Sequence, residues 1–190
     1  MVIKLKYGNT NTFLIKGTNG YLLIDTDYIK TLDLFYKAIK KENIQISDIN
    51  YIISTHYHPD HVGIVSELMN KGIKLVVLDS QYDYVHFSDK ILNFKPIDVD
   101  KAIILNIENG KEFLKSIGIN GQIIKTTSHS EDSISIILDT GECFVGDLEP
   151  YEYISAYESN DKLKNDWDNI KKYNPKVIYY SHINSKIFNY

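Results

Sequence analysis

The sequence is poor in cysteine, and its single thiol limits the cellular setting of the protein. Cys143 is the one cysteine among 190 residues, so an internal disulfide is excluded and a reducing compartment is expected. It lies in the apolar run Cys143-Phe144-Val145, a context that favours a buried hydrophobic side chain over a reactive thiol. The N-terminal segment alternates like a strand and lacks the apolar core of a secretory signal. We therefore expect a cytoplasmic protein.

Long apolar runs and clusters of basic residues are also missing. No apolar run approaches the ~20 residues that a helix needs to cross a bilayer, so no membrane partner is expected. The formal net charge is −4, and the lysines are scattered among acidic residues, which disfavours binding to nucleic acid. The composition is that of a globular domain with a full hydrophobic core. A small-molecule substrate is the expected partner, and the sequence leaves the oligomeric state open.

The pattern of turns and apolar residues predicts one domain, residues 1–190, that combines strands with helices. Short strands fill the first quarter, where Asn19-Gly20 indicates a hairpin turn. Helices are predicted over residues 28–41, 61–71, 109–117 and 161–173, and later strands over residues 51–53, 74–78, 122–125, 133–138, 143–145 and 177–180. Asp27 is the predicted N-cap of the first helix, and Asn109 with Glu112 forms a predicted capping box. Helices between strands indicate an α/β fold with sheets flanked by helices.

The segment His56-Tyr57-His58-Pro59-Asp60-His61 gives the strongest chemical signal. It places three imidazoles and a carboxylate within six residues, directly after a predicted strand and before a predicted helix. Imidazole nitrogen and carboxylate oxygen hold zinc, iron or manganese while leaving coordination positions open. His129, Asp147 and His182 also directly follow predicted strands, so we expect them to meet the motif at one edge of a sheet. His86 lies on a predicted helix and is interpreted as a structural or surface residue.

In this order, these residues resemble the metallo-β-lactamase superfamily, and the likeness covers nearly the whole chain. The resemblance implies a four-layer αββα sandwich with two divalent metal ions at one edge; zinc is expected, with iron or manganese as alternatives. It assigns one metal to His56, His58 and His129, the other to Asp60, His61 and His182, and the bridge between them to Asp147. Asp25 matches a family position that supports the histidine ligands. Ser128 stands where many relatives have glycine, so the loop before His129 is expected to be less rigid.

The implied site is suited to hydrolysis. Two metal ions about 3.5–4 Å apart can share a bridging water, and metal binding lowers the pKa of water to about 7. We therefore predict a metal-dependent hydrolase that uses a metal-bridged hydroxide. The resemblance assigns Asp60 a catalytic role, orienting the hydroxide and moving a proton. Within the family, aspartate at position 147 is typical of thioesterases, lactonases and phosphodiesterases rather than β-lactamases, and a small ester, lactone or thioester is the predicted substrate.

Other activities of the family remain alternatives. A phosphodiesterase is one, and an iron-dependent redox enzyme similar to persulfide dioxygenases is another; a metal-binding protein without activity is a third. Flavodiiron oxygen reductases are disfavoured because they have glutamate at the position of His58 and carry a flavin domain. Hydroxyacylglutathione hydrolases add a helical C-terminal part that we do not expect in the eight residues after His182. Processing nucleases are disfavoured by the net charge.

The segment that follows Asp147 contains three tyrosines. A loop that leaves a metal ligand passes close to the metals, and tyrosine offers an apolar ring with a polar tip. We therefore expect Tyr151, Tyr153 or Tyr157 to line the substrate pocket. His86 and Phe87 are the candidates for its opposite wall.

Overall fold

The computed structural model describes residues 1–156 and 160–188, in which two β-sheets form the framework. The first sheet has the strand order β1-β2-β3-β4-β5-β6: β1 (Val2–Leu5), β2 (Thr12–Lys16), β3 (Tyr21–Ile24), β4 (Ile49–Ile53), β5 (Lys74–Leu78) and β6 (Ile103–Leu105). The second has the order β11-β10-β9-β8-β7: β7 (Gly121–Lys125), β8 (Ile134–Leu138), β9 (Glu142–Phe144), β10 (Val177–Tyr179) and β11 (Lys186–Ile187). The α-helices are α1 (Leu32–Lys41), α2 (Pro59–Val62), α3 (Val65–Met69), α4 (Gly110–Ser116) and α5 (Asp161–Lys171). None of them has both the length and the apolarity needed to cross a membrane.

Strand direction places several loops at one edge of the molecule. In the first sheet, β3, β4, β5 and β6 are parallel. In the second, β9 is parallel to β10, and β7 runs the same way because both β7 and β9 are antiparallel to β8. The carboxyl ends of these strands therefore meet within each sheet. Hydrogen bonds join the two edges: Ile134 N–H donates to the Thr55 carbonyl at 2.9 Å, and Asn11 N–H donates to the Ser181 carbonyl at 2.6 Å.

Apolar side chains from both sheets fill the space between them. Phe13, Ile24 and Ile53 of the first sheet belong to the same buried cluster as Ile136 and Phe144 of the second. The Phe13 and Phe144 rings lie 5.1 Å apart. Because neighbouring residues on a strand point to opposite faces, the alternate residues of each sheet are left to form the outer faces.

Helices cover these outer faces. Phe35 of α1 and Leu68 of α3 pack with Leu75 and other apolar residues of the first sheet. On the second sheet, Trp167 of α5 packs with Cys143, whose burial raises the pKa of its thiol and agrees with a hydrophobic role. The layers follow the order helix, sheet, sheet, helix. This confirms the predicted αββα sandwich.

The first helix begins later than the sequence pattern predicts. It starts at Leu32 rather than near residue 28. Lys30 has a φ of 67°, a left-handed conformation that an α-helix cannot include. The prediction that Asp27 caps this helix is wrong, because its carboxylate accepts hydrogen bonds from the N–H groups of Asn9 (2.8 Å) and Tyr28 (2.7 Å).

Two other helices also differ from the prediction. The helix expected over residues 61–71 is divided into α2 and α3 at Gly63, whose N–H donates to the Asp27 carbonyl at 3.1 Å. A Cβ at Gly63 would lie 2.4–2.5 Å from backbone atoms of residues 27–29, so this crossing requires glycine. Asn109 precedes α4 but its side chain does not cap it; Asn106 instead accepts a hydrogen bond from Glu108 N–H at 2.9 Å.

Candidate metal centre

The loops at the shared edge bring together all seven side chains that the sequence indicated as metal ligands. The segment 56–61 follows β4, and the three remaining residues follow β7, β9 and β10. They form a three-histidine group and a mixed group, which together are called the candidate metal centre: His56, His58 and His129, and Asp60, His61, Asp147 and His182. Within each group, the possible ligand atoms lie within 4.8 Å of one another.

The ring nitrogens of the three-histidine group converge on one point. Nδ1 of His58 lies 3.0 Å from Nε2 of His56 and 3.1 Å from Nε2 of His129. Ligands of a tetrahedral zinc ion with bonds of ~2.0–2.1 Å are separated by about 3.3 Å, so this spacing is compatible with a shared cation. Burial and the neighbouring His61 hold the pKa of His56 well below its ordinary value. The ring is therefore neutral, which is the form that binds a metal.

Asp147 lies between the two groups and presents one carboxylate oxygen to each. Its Oδ1 is 3.3 Å from Nε2 of His61 and 3.2 Å from Nε2 of His182. Its Oδ2 is 3.8 Å from Nε2 of His56 and 3.7 Å from Nε2 of His129. This is the arrangement that a carboxylate needs to bridge two cations.

Asp60 belongs to the mixed group. Its Oδ2 lies 3.2 Å from Nε2 of His182 and 3.9 Å from Nε2 of His61. The hydrogen bond with His182 lowers the pKa of the Asp60 carboxyl, against the opposing effect of burial. The side chain is 33% exposed, so it is open to a substrate as well as to its histidine neighbours.

Two buried atoms show that the centre fits metal ions. Nε2 of His61 and Oδ1 of Asp147 lie 3.3 Å apart, yet neither has a hydrogen-bond partner of acceptable geometry among the described residues. Leaving a buried polar atom unpaired costs about 1–3 kcal/mol. Burial opposes protonation of His61, but the carboxylates of Asp25 and Asp147 outweigh it and raise its pKa to about 10. A cation would take the place of that proton and satisfy both atoms, and the donor set suits zinc, iron or manganese.

Asp25 orients His61 from behind the centre. Its Oδ2 lies 3.0 Å from Nδ1 of His61, and Thr55 donates hydrogen bonds to the same carboxylate from its N–H (2.7 Å) and its hydroxyl (2.8 Å). Asp25 has a φ of 58°, a conformation that aspartate tolerates better than most residues. Because Nδ1 faces Asp25, Nε2 faces the centre. This contact agrees with the supporting role expected for Asp25.

Comparison with known proteins decides the family. A family model described as the metallo-beta-lactamase superfamily matches residues 5–182. The chain belongs to the metallo-β-lactamase superfamily. It is 30% identical over 148 residues to a "Probable metallo-hydrolase" of Methanocaldococcus jannaschii, with 73% of this chain and 68% of that protein covered.

A flavo-diiron protein of Clostridium acetobutylicum is another relative within the superfamily. It is 29% identical over 173 residues, which cover 85% of this chain and 42% of that protein. The chain therefore spans less than half the length of this relative. Among solved structures, a metallo-β-lactamase family protein of Thermus thermophilus matches with a TM-score of 0.75 and 17% identity, covering 98% of this chain and 74% of that one. At this identity the structural likeness shows the fold alone.

Gln81 is a buried residue beside the candidate metal centre that the sequence reasoning missed. Its side-chain amide nitrogen lies within hydrogen-bond distance of the carbonyl oxygens of Ser54 (2.9 Å), Thr55 (3.3 Å) and Asp132 (3.1 Å). It therefore ties the loop before His56 to the loop after His129. A lone glutamine at a strand end gives no sequence signal for such a role.

Two further missed residues anchor the loops of His129 and His182. The carboxylate of Asp166, on α5, accepts a hydrogen bond from Ser128 N–H at 2.8 Å. The loop is thus held despite the absence of a glycine at position 128. On the other side, the Asn11 side chain donates to the carbonyls of Tyr180 and Ile183, each at 2.8 Å.

A cavity of about 320 Å³ opens beside the mixed group, and Tyr153 lies on its wall. Tyr151 does not line it. The Tyr151 ring packs 5.7 Å from that of Trp167 and 5.5 Å from that of Phe188, and its hydroxyl accepts a hydrogen bond from Lys171 at 2.6 Å. The third candidate, Tyr157, lies outside the described residues.

The opposite side of the centre contains one of the two residues expected there. The Phe87 ring lies 5.4 Å from the His58 ring and is 57% exposed. His86 instead pairs with Asp89, whose carboxylate is 2.9 Å from its Nδ1, and its side chain is largely exposed. Phe87 thus borders the candidate metal centre, whereas His86 is a surface residue paired with Asp89.

Replacing Gln81 with leucine should destabilise the protein and loosen the centre. Leucine has a similar size but cannot donate, so the carbonyls of Ser54, Thr55 and Asp132 would lose a buried donor. We expect a loss of about 1–3 kcal/mol in the free energy of unfolding, and a fall in melting temperature of about 2–4 °C per kcal/mol. Calorimetry measures this, with Gln45→Leu at an exposed position as the matched control. An unchanged melting temperature would show that Gln81 does not brace the loops.

Proposed function

We propose that this superfamily member is a hydrolase that uses two divalent metal ions to cleave a small ester, lactone or thioester. The supporting observation is the position of Asp147, which directs Oδ1 to the mixed group and Oδ2 to the three-histidine group. The proposed ligands are His56, His58 and His129 for one ion, Asp60, His61 and His182 for the other, and Asp147 for both. When bound, such ions supply a water of lowered pKa and polarise the scissile carbonyl.

The side chains of the protein have separate tasks in this proposal. Asp25 holds His61 so that Nε2 faces the centre. Asp60 is the proposed catalytic residue: it orients the attacking water, accepts its proton and returns the proton to the leaving group. Its partial exposure, which leaves it open to a substrate and to water, supports this role. We propose zinc as the resident metal and the cytoplasm, where the buried Cys143 would stay reduced, as the location.

An iron-dependent redox enzyme is the second candidate function. The similarity to a flavo-diiron protein over 85% of this chain favours it. Imidazole and carboxylate ligands hold iron as well as zinc, so the ligand set does not separate the two candidates. A phosphodiesterase with the same ligands is a further alternative, which differs only in substrate.

Metal analysis combined with a substrate panel tests the proposal. The protein would be purified without added metal, its metal content measured by mass spectrometry, and its activity assayed on lactones, thioesters, aryl esters, phosphodiesters and β-lactams. Two zinc ions per chain with ester, lactone or thioester turnover support the proposed hydrolase. Iron as the bound metal, with oxygen uptake and no hydrolysis, would replace it with the redox candidate.

Tyr153 should contribute to substrate binding. Its side chain is half exposed on the cavity wall, so we expect Tyr153→Ala to remove about half of the ~1.5–3 kcal/mol that a fully buried aromatic ring contributes. This corresponds to a rise in KM of roughly fivefold, with a smaller effect on kcat. Steady-state kinetics on the best substrate of the panel measures it. Tyr173→Ala, at a similarly exposed position away from the cavity, is the control, and equal kinetics for both variants would exclude Tyr153 from the pocket.

A further inference from the structure

The cavity beside the mixed group has an apolar wall, which is called the apolar cleft below. Its apolar lining consists of Leu148, Pro150, Tyr153, Tyr180 and Ile183. Its volume of about 320 Å³ is at the lower end of the ~300–1,000 Å³ range of small-molecule pockets. The cleft is therefore sized for a short chain or a single ring rather than for a large cofactor-like group.

Away from the candidate metal centre, the apolar cleft offers an anion no cationic side chain among the described residues that line it. Among the described residues that line it there is no lysine, and the charged side chain other than the candidate ligands is Glu149. Lys186, on the following strand β11, is engaged with Glu152 at 2.9 Å. An anionic group of a substrate that lies in the cleft away from the candidate metal centre would lose hydration without gaining a cationic side chain as partner, which is costly.

The other side of the candidate metal centre is also apolar, and its shape is fixed by a buried contact. Ser88 is fully buried, and its hydroxyl donates to the Tyr57 carbonyl at 3.0 Å. This contact joins the turn Phe87–Lys90 to the segment that contains His58. The exposed ring of Phe87 is therefore held beside His58. Apolar surface thus lies on both sides of the centre.

We propose that the substrate carries an uncharged, apolar acyl group, which lies in the apolar cleft against Tyr153 and Ile183 while Phe87 covers the opposite side of the centre. This selects neutral aliphatic or aromatic acyl compounds and disfavours substrates with a carboxylate or phosphate on the acyl part. The inference rests on the proposed function in one respect: the hydrolase proposal supplies the carbonyl group that reacts at the centre. The choice of acyl group comes from the lining of the cleft.

Two hydroxamic acids, whose binding is measured without any turnover, test whether the cleft prefers an uncharged chain. Hexanohydroxamic acid and adipic monohydroxamic acid have the same carbon chain and the same metal-binding head, and differ in a terminal methyl or carboxylate. Calorimetric titration of the metal-loaded full chain should show hexanohydroxamic acid binding at least about tenfold more tightly. In the series from two to six carbons, each methylene should tighten binding by up to about fourfold. The chelator-treated chain is the control for the head group.

A charge placed in the cleft should change this preference. Ile183 is 41% exposed and Ile187 is 78% exposed, so both positions can accept a lysine. Ile183→Lys should shift the ratio of the two probes' dissociation constants by at least about tenfold in favour of adipic monohydroxamic acid. Ile187→Lys, outside the cleft lining, should leave this ratio unchanged. Equal or tighter binding of the adipic probe to the unaltered chain would overturn the inference, as would an Ile183→Lys variant with the native ratio.

The outcome also separates the two proposals. Probe binding in the expected order without hydrolysis of any panel compound would leave the cleft assignment standing and reject the hydrolase. Hydrolysis of esters together with a reversed probe order would retain the hydrolase and reject the apolar acyl group.

Discussion

Replacing Asp147 with alanine is expected to lower the retention of both metal ions by at least about 10²-fold. The carboxylate faces both groups of ligands through its two oxygens, so its removal would take a negative charge from between the two proposed cations. At about 4 Å and an effective dielectric constant of 20, one such charge pair contributes ~4 kcal/mol, and 1.4 kcal/mol corresponds to a factor of ten. The Asp147 side chain is partly exposed, and screening by solvent brings the expected loss of affinity below this figure, to at least about 10²-fold.

Metal content after dialysis against a graded series of chelator concentrations measures the effect. Asp139→Ala removes the same group from an exposed turn and should retain both ions. Asp147→Asn keeps the size of the side chain but not its charge, and should resemble the alanine variant. If Asp147→Ala retained two ions per chain, the bridging role would be rejected, and the two groups would have to act as independent sites.

The residues of the candidate metal centre could be named from sequence because most of their signals are local. Three histidines and an aspartate within six residues identify the segment 56–61 without any knowledge of the fold. The other candidates, such as His129 and His182, each follow a strand, and parallel strands bring their carboxyl ends to one edge. The alternation of strands and helices predicted sheets flanked by helices, whereas the four-layer αββα order was implied by the family resemblance.

The contacts that brace the centre could not be read from sequence, since each joins segments that are distant along the chain. Asp166 and Ser128 are 38 residues apart, and Asn11 and Tyr180 are 169 apart. Gln81 donates hydrogen bonds to backbone carbonyl groups. Every residue has such a group, so its partners cannot be identified from the sequence. In the sequence, Gly63 falls within a helical pattern and shows no special role. The need for glycine there follows from the backbone of residues 27–29, which packs directly against it in the structure.

The tyrosines after Asp147 show a similar limit. Tyr151 and Tyr153 lie in one 3-10 turn, Tyr151–Ala156, where successive side chains are rotated by about 120°. Two residues apart, they therefore point in different directions. Tyr153 faces the cavity, and Tyr151 packs against Trp167. Their proximity to a ligand was visible in the sequence, but the conformation that separates them was not.

Asp60→Asn should reduce turnover by about 10²–10⁴-fold, the usual contribution of a positioned acid or base. Asparagine keeps the shape of the side chain and cannot carry the proton. The three-histidine group does not depend on Asp60, whose short contacts are with His182 and His61. One ion should therefore remain bound as in the unaltered chain, and the affinity for the second should fall.

Weaker binding of the second ion and loss of proton transfer both lower turnover, so the assay must separate them. Rates would be measured with metal added until two ions per chain are bound, with Asp33→Asn on the exposed face of α1 as the control. If Asp60 moves the proton, the defect persists at full occupancy, and it is smaller for substrates whose leaving group needs no proton, such as nitrophenyl esters. Near-normal turnover with two ions bound would show that Asp60 is a metal ligand only, and the proton would then need another carrier.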